Sequence, residues 1–112
     1  VIDLDASVKC YDASFKCMDT CFFGRKVLFN NAIRHSGDNR TGKGAGDDES
    51  ILINFSALPE TVTYCMVLAN SYDGNLFTGI KNAYVRVIND KGLETHRYGL
   101  AGFGAHVVDF GN

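Results

Sequence analysis

Residues 37–49 hold the chain's densest cluster of potential chemistry. The run Gly37-Asp38-Asn39-Arg40-Thr41-Gly42-Lys43-Gly44-Ala45-Gly46-Asp47-Asp48-Glu49 sets four carboxylates and an amide oxygen among four glycines. Hard cations such as calcium take six to eight oxygen ligands from carboxylates, amides and backbone carbonyls. Glycines let the backbone curl so that its own carbonyls join such a shell. Three consecutive acids, Asp47, Asp48 and Glu49, repel one another unless a cation or a basic partner lies close. Asp3 and Asp5, at i and i+2, project on one face of a strand and would complete a cation site if the fold brings that strand to the loop. The spacing is not that of an EF-hand, because Arg40 falls where a third-position ligand is required. The competing reading is a solvated connection in which Arg34, Arg40 and Lys43 neutralise the acids without metal. Composition alone leaves both readings open.

The other reactive side chains are less organised. Cys17-x3-Cys21 lies within the loose range for a zinc ligand pair, but no second Cys or His pair follows at finger spacing. Four cysteines in 112 residues are too few for a disulfide scaffold. The expectation is reduced thiols in a cytosolic setting, with Cys10 and Cys65 in the core. A surface zinc site and a Cys17–Cys21 disulfide are the alternatives. His35, His96 and His106 are scattered, and no Gly-x-Ser-x-Gly elbow is present, so a nucleophilic enzyme is not expected. His35 is expected as an exposed loop histidine. The glycines of Gly99–Gly104 lack the spacing and the Lys-Ser/Thr of a P-loop and read as a turn. Tyr72, Tyr84 and Tyr98 read as sheet packing rather than a stacking platform for bases.

These groups must be positioned by a small domain. The chain is 112 residues long, which suits one domain, 1–112. Apolar residues are 46% and charged residues 21%, which argues against a disordered chain. The net charge of −2 and the absence of a basic stripe argue against nucleic acid and anionic membrane surfaces. No apolar run reaches the roughly 18 residues of a membrane helix. Val1-Ile2-Asp3-Leu4-Asp5 is not a signal peptide, and the missing initiator Met is expected of a fragment or a processed form.

The elements read as short strands with glycine turns. Ile2, Leu4, Ala6, Val8 and Cys10 alternate with Asp3, Asp5, Ser7 and Lys9, predicting a first strand with one apolar face. Residues 11–26 are poorly patterned, with a turn near Asp12-Ala13-Ser14. Val27-Leu28-Phe29 predicts a short strand ending at Asn30-Asn31. From Asn30 to Glu49 the only apolar residues are Ala32, Ile33 and Ala45, which predicts one long loop. Strands are then expected at 50–55, at 61–72 as the central strand, at 82–88, at 93–100 and at 105–110. Turns are expected at Ser56-Ala57-Leu58-Pro59, Asp73-Gly74-Asn75 and Asn89-Asp90-Lys91-Gly92, and a short helical turn at 76–80. About seven short strands of this kind suggest an all-β, two-sheet β-sandwich.

Several motifs together resemble the tellurium-resistance TerD family. They are Asp3-Leu4-Asp5-Ala6-Ser7, Phe29-Asn30-Asn31, the acidic loop from Gly37 to Glu49, and Asn82-Ala83-Tyr84-Val85-Arg86-Val87, with Ser56-Ala57-Leu58-Pro59 at a similar turn. The resemblance covers nearly the whole chain and is most specific in the loop. It implies a β-sandwich that binds calcium in loops at one end. It also implies a non-enzymatic role in bacterial stress operons linked to tellurite resistance, phage defence and membrane-associated assemblies. By motif, Asp38, Asn39, Asp47, Asp48 and Glu49 become calcium ligands, and Asp3 and Asp5 ligate or support the site. Asn30, Asn31 and Thr41 become loop-bracing residues.

The partners implied are proteins of a stress-response assembly in the cytoplasm or at the membrane periphery, with no nucleic acid. The alternative function is a calcium-bridged module that captures a phosphate, a lipid headgroup or a glycan. Two departures accompany the resemblance. The family usually carries further strands before the first acidic motif and after the last strand here, so an exposed edge is expected. The region from Lys9 to Gly24, with three cysteines, does not follow the family pattern.

Overall fold

The computed structural model describes residues 4–36, 49–71 and 84–99. The chain divides into two compact units, Val1–Asp73 and Gly74–Asn112. The described residues are all-β apart from one turn of 3-10 helix, Phe55–Ala57, and their strands pair antiparallel in small sheets.

In the first unit, β1 (Leu4–Tyr11) lies between β2 (Cys17–Cys21) and β6 (Tyr64–Ser71). The alternation expected of β1 is present: Val8 and Cys10 are buried, while Ser7 and Lys9 on the other face are only partly covered. Strand β6 begins later than expected. Among the described residues β1, not β6, is the middle strand of this sheet. Every residue of β1 from Leu4 to Tyr11 has a partner in β6.

A tight turn joins β1 to β2. Asp12 Oδ1 accepts from the backbone N–H groups of Ser14 (2.9 Å) and Lys16 (3.0 Å) and from the Ser14 hydroxyl (2.8 Å). Phe15 closes the turn at φ 64°, a left-handed conformation rarely adopted by an aromatic residue. Cys10 faces Asp19 but Tyr11 faces Cys17, so the register skips Met18. This bulge breaks the period of two, which is why β2 is poorly patterned in sequence. Beyond β2, Phe22 and Arg25 exchange backbone hydrogen bonds of 3.0 and 2.9 Å around Phe23-Gly24. A Cβ on Gly24 would lie 2.6 Å from the Phe22 ring, so the approach requires glycine or a displaced ring.

The second sheet of this unit has the order β3 (Val27–Leu28), β4 (Ile33–His35), β5 (Ile51–Ile53). Its existence corrects the expectation of one loop from Asn30 to Glu49. Ala32, Ile33 and His35 are buried, with Arg34 exposed between them. Apolar burial of two residues and pairing on both sides make a strand of this polar-looking segment. The β3–β4 turn runs through Phe29, Asn30 and Asn31 at φ 51°, 52° and 70°, closed by the Ala32 N–H donating to the Phe29 carbonyl at 3.1 Å. Asparagine tolerates this left-handed region better than most residues.

The inner residues of both sheets form one core of Val8, Cys10, Cys21, Leu28 and Ile33. Phe29, Ile51, Ile53, Leu58, Val62 and Cys65 pack against it. The expected turn at Ser56–Pro59 overlaps the 3-10 helix, whose entry Asn54 accepts the Ser56 hydroxyl at 2.8 Å.

In the second unit, β7 (Tyr84–Ile88) and β8 (Glu94–Gly99) form a hairpin. Asn89 Oδ1 accepts from the N–H groups of Lys91 (2.9 Å) and Leu93 (3.0 Å), and Gly92 takes φ 78°. Glu94 joins Arg86 at 3.4 Å to Arg97 at 3.0 Å, and the Arg97 guanidinium lies 4.1 Å from the Tyr84 ring centroid. The expected features at 72–80 and 105–110 lie outside the described residues.

Candidate metal-binding site

Strands β4 and β5 are the two sides of a hairpin whose connection is the acidic loop. The pairing runs Ile33 to Ile53, Arg34 to Leu52 and His35 to Ile51. It continues one step further: the Ser36 N–H donates to the Ser50 carbonyl at 2.8 Å, and the Ser50 N–H donates to the Ser36 hydroxyl at 2.9 Å. Both ends of the loop are therefore held side by side by the ladder.

Beside this base, three groups from distant parts of the chain meet. His35, the last residue of β4, and Glu49, which precedes β5, have side chains 0% and 3% exposed, with Nε2 3.1 Å from Oε1. The same Glu49 oxygen accepts the Ala6 backbone N–H at 3.1 Å. His35 Nε2 lies 3.2 Å from the Ala6 carbonyl oxygen. Both neighbours of Nε2 are acceptors, so this nitrogen carries hydrogen and donates. The side chain of His35 is thus fully buried, correcting the expectation of an exposed loop histidine. His35 shares a face of β4 with the buried Ile33, two residues before it, and stands opposite Ile51 of β5.

The Ala6 N–H belongs to the peptide that follows Asp5, so Glu49 is fastened next to the first acidic motif. Asp5 Oδ1 and Glu49 Oε2 are both buried from solvent. Both are carboxylate oxygens, the hard donors that calcium takes. The donor chemistry of these two residues fits a hard cation. Among the described residues no three His, Cys, Asp or Glu side chains are arranged to hold a metal ion. A complete shell therefore needs oxygens from the loop itself. Asp3, Asp38, Asn39, Thr41, Asp47 and Asp48 lie outside the described residues. Asn30 and Asn31 are described, and their visible contribution is the left-handed backbone of the β3–β4 turn.

The cysteines give no metal site among the described residues either. All four are free thiols. Cys17 and Cys21 stand at opposite ends of β2. Four strand steps separate them by about 13 Å, well beyond the roughly 7 Å limit between Cα atoms in a disulfide. That alternative pairing is excluded by the strand.

The family model for the TerD domain matches residues 1–107. The chain belongs to the TerD domain family. It is 43% identical over 105 residues to tellurium resistance protein TerZ of Serratia marcescens, covering 94% of this chain and 54% of that protein. It is 37% identical over 107 residues to general stress protein 16U of Bacillus subtilis, covering 88% of this chain and 55% of that protein. Tellurium resistance protein TerD of Serratia marcescens is 33% identical over 106 residues, with 88% and 55% covered. The chain thus spans about half the length of the curated relatives it matches. These three relatives are named for tellurium resistance or general stress. Among the described residues no helix is long and apolar enough to cross a membrane.

Proposed function

We propose that this TerD-family domain is a non-catalytic, calcium-binding module of tellurite-resistance and stress-response type. In this reading the two sheets of the first unit are the faces of a β-sandwich, and the acidic loop at the end of the β4–β5 hairpin binds calcium. Asp38, Asn39, Asp47, Asp48 and Glu49 supply ligands, with Asp3 and Asp5 ligating or supporting from β1. Calcium neutralises the acids and orders the loop, and the ordered loop then presents a surface to protein partners in a cytoplasmic or membrane-peripheral assembly.

The observation that carries this reading is the fastening of Glu49 to the Ala6 N–H at 3.1 Å. It joins the last acid of the loop to the strand that bears Asp5, two motifs far apart in sequence. A merely solvated connection has no need of a carboxylate side chain that is only 3% exposed at its base.

Calorimetric titration of calcium into metal-stripped protein tests the reading. The expected result is saturable heat that disappears in the Asp47→Asn/Asp48→Asn variant, with a thermal shift on binding. Absence of heat from the wild-type protein would overturn it.

A further inference from the structure

The calcium reading makes no use of the thiols, and two of them are placed for chemistry of their own. Cys10 on β1 and Cys65 on β6 are direct partners in the antiparallel register. Directly opposed residues of an antiparallel pair present their side chains on the same face of the sheet. Directly opposed residues of an antiparallel pair have Cα atoms about 4.5–5.5 Å apart, inside the roughly 4.4–6.8 Å that a disulfide spans. The backbone separation is therefore compatible with a bond between the two sulfurs. The other two cysteines are engaged elsewhere. Cys17 is exposed, with its thiol 3.8 Å from the Asp19 carbonyl oxygen, and the buried Cys21 donates to the Lys26 carbonyl at 3.6 Å.

We propose that Cys10 and Cys65 are a latent cross-strand dithiol that a low-molecular-weight disulfide oxidises to an intramolecular disulfide, pinning β1 to β6. One cysteine sulfur attacks the reagent's S–S bond and releases one reagent thiol. The second cysteine sulfur attacks the resulting mixed disulfide and releases the other. Two S–H bonds and one S–S bond break, and one S–S bond forms. The two protons end on the released thiols, and two electrons pass from the cysteine sulfurs to the reagent.

The surroundings set the character of this modification. Burial pushes the Cys10 thiol up to about 12 and raises that of Cys65. Both stay protonated near neutral pH, so the pair reacts slowly, because the thiolate is the nucleophile. A high-pKa thiol is also a poor leaving group, so the bond once formed is slow to be reduced. The device is a slow, persistent lock rather than a fast sensor.

The test is incubation of the folded protein with oxidised glutathione at mildly alkaline pH, acid quenching, alkylation in denaturant and peptide mapping by mass spectrometry. The expected main product is a Cys10–Cys65 cross-linked peptide with loss of two hydrogen masses, retained in Cys17→Ser and absent in Cys65→Ala. The same incubation in denaturant should instead favour bonds between neighbours in sequence, since short loops close at lower entropic cost. Full alkylation of Cys10 and Cys65 after prolonged native incubation would overturn the proposal. Equal yields of the Cys10–Cys65 bond from native and denatured protein would overturn it as well.

Discussion

His35 and Glu49 flank the acidic loop on either side, and their side chains meet at 3.1 Å with almost no exposure. The contact closes the loop at its base and, through the Ala6 peptide, fastens that base to β1. Glu49→Ala removes the acceptor from the Ala6 N–H, while His35 Nε2 keeps the Ala6 carbonyl oxygen. Leaving a buried donor without its acceptor costs about 1–3 kcal/mol, so urea unfolding should show a loss of that order. Because the two residues share one network, Glu49→Ala and His35→Ala should be non-additive by more than about 0.5 kcal/mol in a double-mutant cycle. Strict additivity would mean that the pair is not coupled.

Strand β4 is held by Ile33, which is fully buried between β3 and β5. Ile33→Ala should destabilise the fold by about 2–5 kcal/mol, and Ile33→Val by about 1 kcal/mol. Arg34→Ala, on the exposed side of the same strand, should stay within about 0.5 kcal/mol. Denaturant midpoints of the three variants check this ordering.

The β3–β4 turn depends on residues that accept positive φ. Asn31 sits at φ 70°. A β-branched residue is strained there, so Asn31→Val should cost about 1–2 kcal/mol, whereas Asn31→Gly should be near neutral because glycine adopts this region freely. Thermal melts of the two variants separate a backbone role from a side-chain role. Equal losses would point to the asparagine side chain.

Asp12 adds a pH dependence. The hydrogen bond from the Lys16 N–H, with those from Ser14, holds its carboxyl below the usual aspartate range. The contribution is therefore complete above the unfolded-state value and is lost as pH falls through the lower folded value, that is, below about pH 4. Asp12→Asn should flatten part of the acid limb of stability against pH. Part will remain, because Glu94 is lowered in the same direction, chiefly by its hydrogen bonds from Arg97.

Legibility in the sequence followed the regularity of each element. The alternation from Leu4 to Cys10 identified β1 and its buried face, and Asn89-Asp90-Lys91-Gly92 identified the β7–β8 turn. Strand β2 was obscured because its bulge at Met18 shifts the period in mid-strand. Strand β4 was hidden by length: three residues, one of them His35, carry too little apolar pattern to stand out from an acidic loop. The burial of His35 depends on Ala6 and Glu49, far from it in sequence, and no local pattern reports such a contact. The acidic motifs were legible as chemistry, and the resemblance they carried is confirmed by family membership. The meeting of Glu49 with the peptide after Asp5 required the fold.

The most direct test of the account compares calcium affinity in two single variants. Asp5→Asn alters the carboxylate on β1 beside the loop base, and Asp90→Asn removes an equal charge from the exposed β7–β8 turn. If loop and strand build one calcium site, Asp5→Asn weakens calcium binding tenfold or more in calorimetry, while Asp90→Asn binds as the wild type does. Wild-type affinity in a folded Asp5→Asn protein, or equal losses in both variants, would contradict the account.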